Sequence, residues 1–201
     1  MLLHHYCTTT AFTAAQLLDN YCVAAARKIS ESAVGVEDVG VDTTVMLTLG
    51  MVGVVIVYAV LSVYWTSRDP GWYSSLPRPS WQPPDIVFGI IWPLNFVALG
   101  IASAVIGLTQ PISVGSTFAG VLTVSVAFSL GWAYLFYVPH RLAAAAGSLT
   151  VAGVLTWALV VLAAGVHWWL GVLLIPYAVW LTIATTLAYG YAHRASSHQR
   201  G

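Results

Sequence analysis

The side chains of this chain that could do chemistry are aromatic rather than ionisable. Nine tryptophans, ten tyrosines and six phenylalanines stand against seven basic and seven acidic residues. The densest group runs from Trp72 to Trp92. Here Trp72, Trp81 and Trp92 are interleaved with Pro77, Pro79, Pro83 and Pro84. Each proline lacks an N–H and restricts the residue before it, so a loop rather than a regular helix is expected from Trp72 to Pro84. Tryptophan and tyrosine collect at membrane interfaces, which accounts for one or two of these rings. Four prolines set among three tryptophans point instead to a stiff loop that covers or shapes a pocket. After Pro84 the pattern turns into a long apolar run, with Asp85 suited to the positive end of a helix dipole.

Further rings lie within apolar segments: Trp132, Tyr134, Phe136, Tyr137, Trp157, Tyr177 and Trp180. A cavity lined this way suits a flat, largely apolar ligand such as a tetrapyrrole or sterol ring system. Trp157 has nothing distinctive beside it and reads as ordinary packing. No Ser-His-Asp set, zinc spacing or phosphate loop is present, so any chemistry has to come from a bound ligand. No Asp, Glu, Lys or Arg falls in the middle of an apolar segment, which argues against a proton-coupled pump or ion channel. His167 beside Trp168 and Trp169 reads as an interfacial residue before a haem ligand. The adjacent His4 and His5 read as solvated, so no metal site is expected.

The elements that must position these rings are membrane helices. The chain is 59% hydrophobic and only 7% charged, with a mean hydropathy of +0.82. A soluble domain carries about 25% charged residues. Its balanced charge offers no basic patch for nucleic acid. Five apolar segments, at 44–65, 85–108, 112–138, 142–166 and 170–192, each reach the roughly 20 residues a span needs. The turns between them are short, so the fold class expected is an all-α integral membrane protein, a five-helix transmembrane bundle. Residues 1–42 form a separate arm, with an amphipathic stretch from Thr10 to Ile29 and two free cysteines, Cys7 and Cys22. Residues 43–195 form the bundle and 196–201 a tail. Five spans place the termini on opposite sides. Arg68, Arg78, Arg141, Arg194 and Arg200 share one of them, which puts the C-terminus and the 66–84 loop in the cytoplasm and the N-terminus outside. Ser116 with Gly120, or Ser125 with Ser129, are small-xxx-small pairs that would suit a homodimer face.

The stretch Trp72-Tyr73, Leu76, Pro79, Trp81, Pro83-Pro84, Val87-Phe88-Gly89, Trp92 and Gly100-Ile101-Ala102 resembles the first loop and second helix of the tryptophan-rich sensory protein/translocator protein family (TspO/MBR, or peripheral benzodiazepine receptor family). Trp132-Ala-Tyr-Leu135-Phe136-Tyr137 is similar to that family's W-x-x-L-F-F. Leu174-Ile-Pro176-Tyr177-x-x-Trp180, with Ala184 and Leu187, is similar to its fifth-helix motif. The resemblance spans about residues 45–195. This chain departs from the pattern at several points. Ser129 stands where the family usually has Asn, and Ala188 replaces another Asn. Ile183 replaces a Phe. Ile90 replaces the Pro after V-F-G, and Pro93 and Asn95-Phe96 stand where Thr and Leu-Tyr are usual. An acidic residue early in the fourth helix has no counterpart among residues 143–150.

The resemblance implies a five-helix bundle, often a homodimer, that binds porphyrins and haem as ligands and requires no cofactor. It also implies sterol and drug binding in eukaryotic members, and light-dependent porphyrin breakdown in some bacterial ones. On this chain the ligand-binding positions would be Trp72, Trp81, Trp92, Trp132, Tyr177 and Trp180. Trp92 and Trp180 would take part in any photochemistry. Leu187, Tyr189 and Arg194 satisfy the loose sterol pattern.

Overall fold

The computed structural model describes residues 43–198, and every described element is helical. The arm at residues 1–42, with His4, His5, Cys7 and Cys22, lies outside the described residues, as does Arg200. The helices are α1 (Thr43–Thr66), then α2 (Pro70–Ser75), α3 (Asp85–Thr109), α4 (Ile112–Tyr137), α5 (Leu142–Val166) and α6 (Trp168–His198). All but α2 are long and apolar enough to cross a membrane. The five expected spans are therefore present, with ends shifted by a few residues. The last helix starts earlier than expected, directly after His167, and carries on through 196–198 without a break.

Local chemistry sets the helix ends. Proline directly precedes α3 and α4, where the missing N–H costs no hydrogen bond. Asp85 occupies the first turn of α3, next to the unpaired N–H groups. The α4–α5 turn is made by His140, whose φ of 56° places it in the left-handed region, and histidine is among the residues enriched there.

One expectation needs correcting. Trp72 and Tyr73 do not lie in a loop but on α2, a turn and a half of helix. Asp69 accepts a hydrogen bond from the Trp72 backbone N–H at 3.0 Å, and Pro70 stands in the first turn. An Asp cap followed by proline is a helix start. The prolines from Pro77 onward then keep the chain extended or turned until Asp85.

The bundle is held by small residues and by hydroxyls paired inside it. At Gly107 of α3, a Cβ would collide with Thr48 and with Met51 Cε at 2.8 Å, so α1 crosses α3 at that glycine. The Ser125 and Thr156 hydroxyls lie 3.1 Å apart. Both donate to the Ala152 carbonyl, at 3.3 and 2.9 Å, tying α4 to α5. This corrects the reading of Ser125 and Ser129 as a dimer face: both are fully buried within the chain. Ser116 and Gly120 are exposed on α4. Replacing Thr156 with valine is expected to cost about 1 kcal/mol, the usual scale for an interhelical hydrogen bond in a membrane protein. SDS titration in mixed micelles reads this cost. Adding Ser125→Ala is expected to lose less than the sum of the single changes, since the two share one network.

Candidate functional site

A cavity of about 500 Å³ opens at the end of the bundle beneath the proline loop. Its α3 wall is the stripe Asp85, Phe88, Gly89, Trp92, Pro93 and Phe96, which is one face of a helix at i, i+3, i+4 spacing. Helix α6 contributes Ala184, Leu187, Ala188 and Tyr191 at the same spacing. Trp132, Phe136 and Tyr137 come from α4, and Ala59, Ser62, Val63 and Thr66 from α1. Tyr73 and Gln82 close the loop side.

Four other rings meet Trp92. Trp132 stacks with it at 6.2 Å and 17°, and Trp180 meets it edge-on at 6.5 Å and 90°. Phe96 stacks at 5.9 Å, and Tyr58 stands edge-on at 6.3 Å. Phe88 lies edge-on to Trp180 at 5.0 Å. Such offset and edge contacts are favoured by the ring quadrupole. They hold Trp92 in one orientation from three sides. The indole N–H groups of Trp132 and Trp180 are buried and have no hydrogen-bond partner among the described residues.

Polar groups gather at the mouth. Gln82 Nε2 donates to the Tyr73 hydroxyl at 3.2 Å, while the Tyr191 hydroxyl donates to Gln82 Oε1. Gln82 thus bridges two lining tyrosines, one on α2 and one on α6. Arg78 pairs with Asp85 at 3.3 Å. That carboxylate holds the guanidinium pKa above its already high ordinary value. Exposed pairs of this kind add little stability. The loop is seated on α6 by shape as well: a Cβ at Gly190 would come within 3.3 Å of Pro79 and 3.8 Å of Trp81.

The expected site residues fall into three groups. Trp92 and Trp132 line the cavity. Trp180 and Tyr177 stand behind that wall. Trp180 supports Phe88 and Trp92. Tyr177, 1% exposed, donates to the Tyr58 hydroxyl at 3.2 Å. Trp72 and Trp81 do not line it. Trp72 stacks on His140 at 3.8 Å and meets Phe136 edge-on, bracing α2 against the α4–α5 turn. Trp81 is 51% exposed and stands beside Gly190 of α6. Tyr134 faces outward against Trp65, and Trp157 is exposed, donating to Thr182 at 3.3 Å.

The sterol-pattern residues do not form one surface. Leu187 lines the cavity. Tyr189 points out of the other side of α6 towards Thr150. Arg194 reaches the Arg78 carbonyl at 3.5 Å. His167 is stacked on Trp169 at the start of α6, about 35 Å of helix away from Tyr191 by helical rise. Among the described residues no group of three His, Cys, Asp or Glu could hold a metal.

Sequence reasoning did not name Phe88, Phe96, Gln82 or Tyr191 as site residues, nor the α1 wall. For Phe88 and Phe96 a usable signal existed in the i, i+3, i+4 stripe 85–96, which carries Trp92 on the same face, and for Tyr191 in the stripe 184–191; Gln82 lies on neither.

This fold and cavity define a multi-pass helical membrane protein with an aromatic-walled site at one end of its bundle. The chain belongs to the TspO/MBR family, whose family model matches residues 47–194. It is 32% identical to Protein CrtK of Rhodobacter capsulatus, over 60% of this chain and 77% of that protein. It is 28% identical to the tryptophan-rich protein TspO of Chlorobaculum tepidum, over 72% and 93% respectively. It is 30% identical to the translocator protein of Homo sapiens, over 59% and 71%.

Proposed function

We propose that the cavity binds a tetrapyrrole and that the protein serves as a membrane sensor or transporter for it. The carrying observation is the wall made by Trp92, Trp132, Phe88 and Phe96, a set of rings that a flat macrocycle can stack against. The volume, about 500 Å³, is in the range of sites for ligands of this size. The mouth supports the same reading. Tyr73, Gln82 and Tyr191 are hydrogen-bonding groups placed where the carboxylates of a porphyrin would reach water.

Metal-free porphyrin fits better than haem. Among the described residues no histidine or cysteine lines the cavity, and the hydroxyls of Tyr73 and Tyr191 are engaged with Gln82. The proposed orientation puts the cavity mouth in the cytoplasm. The four arginines at 68, 78, 141 and 194 sit in or beside the loop, the α4–α5 turn and the end of α6. Contacts of Trp72 with His140, and of Arg194 with Arg78, draw these segments to one end of the bundle. Positive charge accumulates on the cytoplasmic side.

The test is a titration of the purified protein with protoporphyrin IX in darkness, following tryptophan fluorescence. Saturable quenching at micromolar ligand is expected, weakened in the Trp92→Phe and Trp180→Phe proteins. Quenching no greater than in detergent alone would sink the tetrapyrrole reading and turn attention to sterols. If binding holds, illumination in air distinguishes a carrier from a porphyrin-degrading enzyme by whether the bound pigment's spectrum decays faster than free pigment.

A further inference from the structure

Helix α3 contains Pro93 in its interior. Proline has no N–H, so it cannot complete the helical hydrogen bond to the carbonyl four residues earlier, and its ring pushes that carbonyl aside. The carbonyl concerned belongs to Gly89. Gly89 and Pro93 both line the cavity, so the freed oxygen lies on its wall, about 6 Å along the helix from Asp85. A Cβ at Gly89 would meet nothing within 4 Å, so the open space reaches the backbone itself. No side chain among the described residues donates to this carbonyl. In a bilayer, freed backbone groups are tolerated when side chains, water or a cavity satisfy them.

Of the other polar groups lining the cavity several are already engaged, and the one buried without a partner among the described residues, the Trp132 indole N–H, is a donor and not an acceptor. Tyr73, Gln82 and Tyr191 bond one another, Asp85 pairs with Arg78, and Thr66 donates to Ser62 within its own helix. With no N–H at Pro93 to bond it, the Gly89 carbonyl is an acceptor looking for a donor. We propose that it accepts a hydrogen bond from the ligand, so that the cavity favours flat apolar rings carrying a hydroxyl or N–H over the same rings without one. Pro93 is the residue that sets this preference, without touching the donor itself. The inference rests on the cavity being the ligand site but not on the ligand being a tetrapyrrole.

The experiment compares 1-hydroxypyrene with 1-methoxypyrene, read by energy transfer from tryptophan to pyrene on the full chain in detergent micelles. The quantity is the ratio of the two dissociation constants, methoxy over hydroxy, in each protein. Partition into detergent is common to all variants and cancels between them. The ratio is expected to be about fivefold higher in the unaltered protein than in Pro93→Ala, where the N–H returns and the carbonyl is satisfied. A second variant, Ile90→Pro with Pro93→Ala, keeps one proline in α3 but frees the carbonyl of Ile86. That residue is 71% exposed and does not line the cavity, so this variant should also lose the preference. It carries the test if Pro93→Ala does not fold. A ratio unchanged in either folded variant overturns the proposal. So does failure of the unaltered protein to bind either pyrene, because the cavity would then not take this class of ligand. A failed protoporphyrin titration with the pyrene preference intact would overturn only the tetrapyrrole reading.

Discussion

Replacing Gly171 with leucine is expected to abolish recovery of folded protein. A Cβ at this position would stand 2.6 Å from the Ala164 Cβ, 3.1 Å from the Ala164 Cα and 3.2 Å from the Val160 carbonyl oxygen. Two of these three atoms are backbone, so no rotamer change relieves the collision. Helices α5 and α6 can only separate. Overpacking that side chains can absorb costs about 1–3 kcal/mol. A clash with backbone, at the tightest point of a helical hairpin, exceeds that. Alanine at 171 is expected to be measurably destabilising and leucine not to fold. Gly165 provides the control: a Cβ there meets nothing within 4 Å, so Gly165→Leu should behave like the unaltered protein. Monodisperse yield after size exclusion, and the SDS midpoint of whatever is recovered, measure both. Because α6 also carries Leu187 and Tyr191 of the cavity, the leucine variant should lose ligand binding along with its fold.

Trp92→Ala is expected to weaken protoporphyrin binding by about tenfold to a hundredfold, within the usual range for an aromatic hot spot. Trp92 is the one ring in contact with Trp132, Trp180, Phe96 and Tyr58 together. Removing it deletes a stacking surface and frees its neighbours to reorient. Truncating a tryptophan also costs stability, so the conservative Trp92→Phe separates the two effects. It should keep the helical circular dichroism and most of the thermal stability while still binding several-fold more weakly. Trp81→Phe, half exposed outside the cavity, should change neither quantity. If Trp81→Phe and Trp92→Phe weaken binding equally, the cavity described above is not where the porphyrin sits.

The spans could be read in advance because the bilayer imposes a coarse requirement: about 20 apolar residues with no charge among them. Proline and aspartate then marked the helix starts. Sequence reasoning went astray where a local signal competed with tertiary context. Trp72 and Trp81 share a proline-rich setting with Trp92, yet the Asp69 cap turns the first into a short helix that rests on His140. Proline spacing says the chain is stiff but not which side of it a ring leaves. Ser125 and Ser129 fit a small-residue dimer pattern, but the same pattern serves contacts within a chain, and Thr156 across the interface decides which. Gln82 was illegible because its role depends on two tyrosines, the farther 109 residues away in sequence.

The Tyr58–Tyr177 hydrogen bond has a consequence for how the protein is made. Its partners are separated by 119 residues and each is 1% exposed. During synthesis α1 enters the membrane well before α6 exists. For that interval the Tyr58 hydroxyl lacks its eventual partner, and α1 has its contacts with α3 but not those with α6. The C-terminal helix therefore completes the seat of the first, whose Tyr58 hydroxyl is paired only after translation has reached the last helix. A nascent chain arrested before α6 should accordingly expose α1 to lipid-phase crosslinkers that the finished protein excludes at Tyr58.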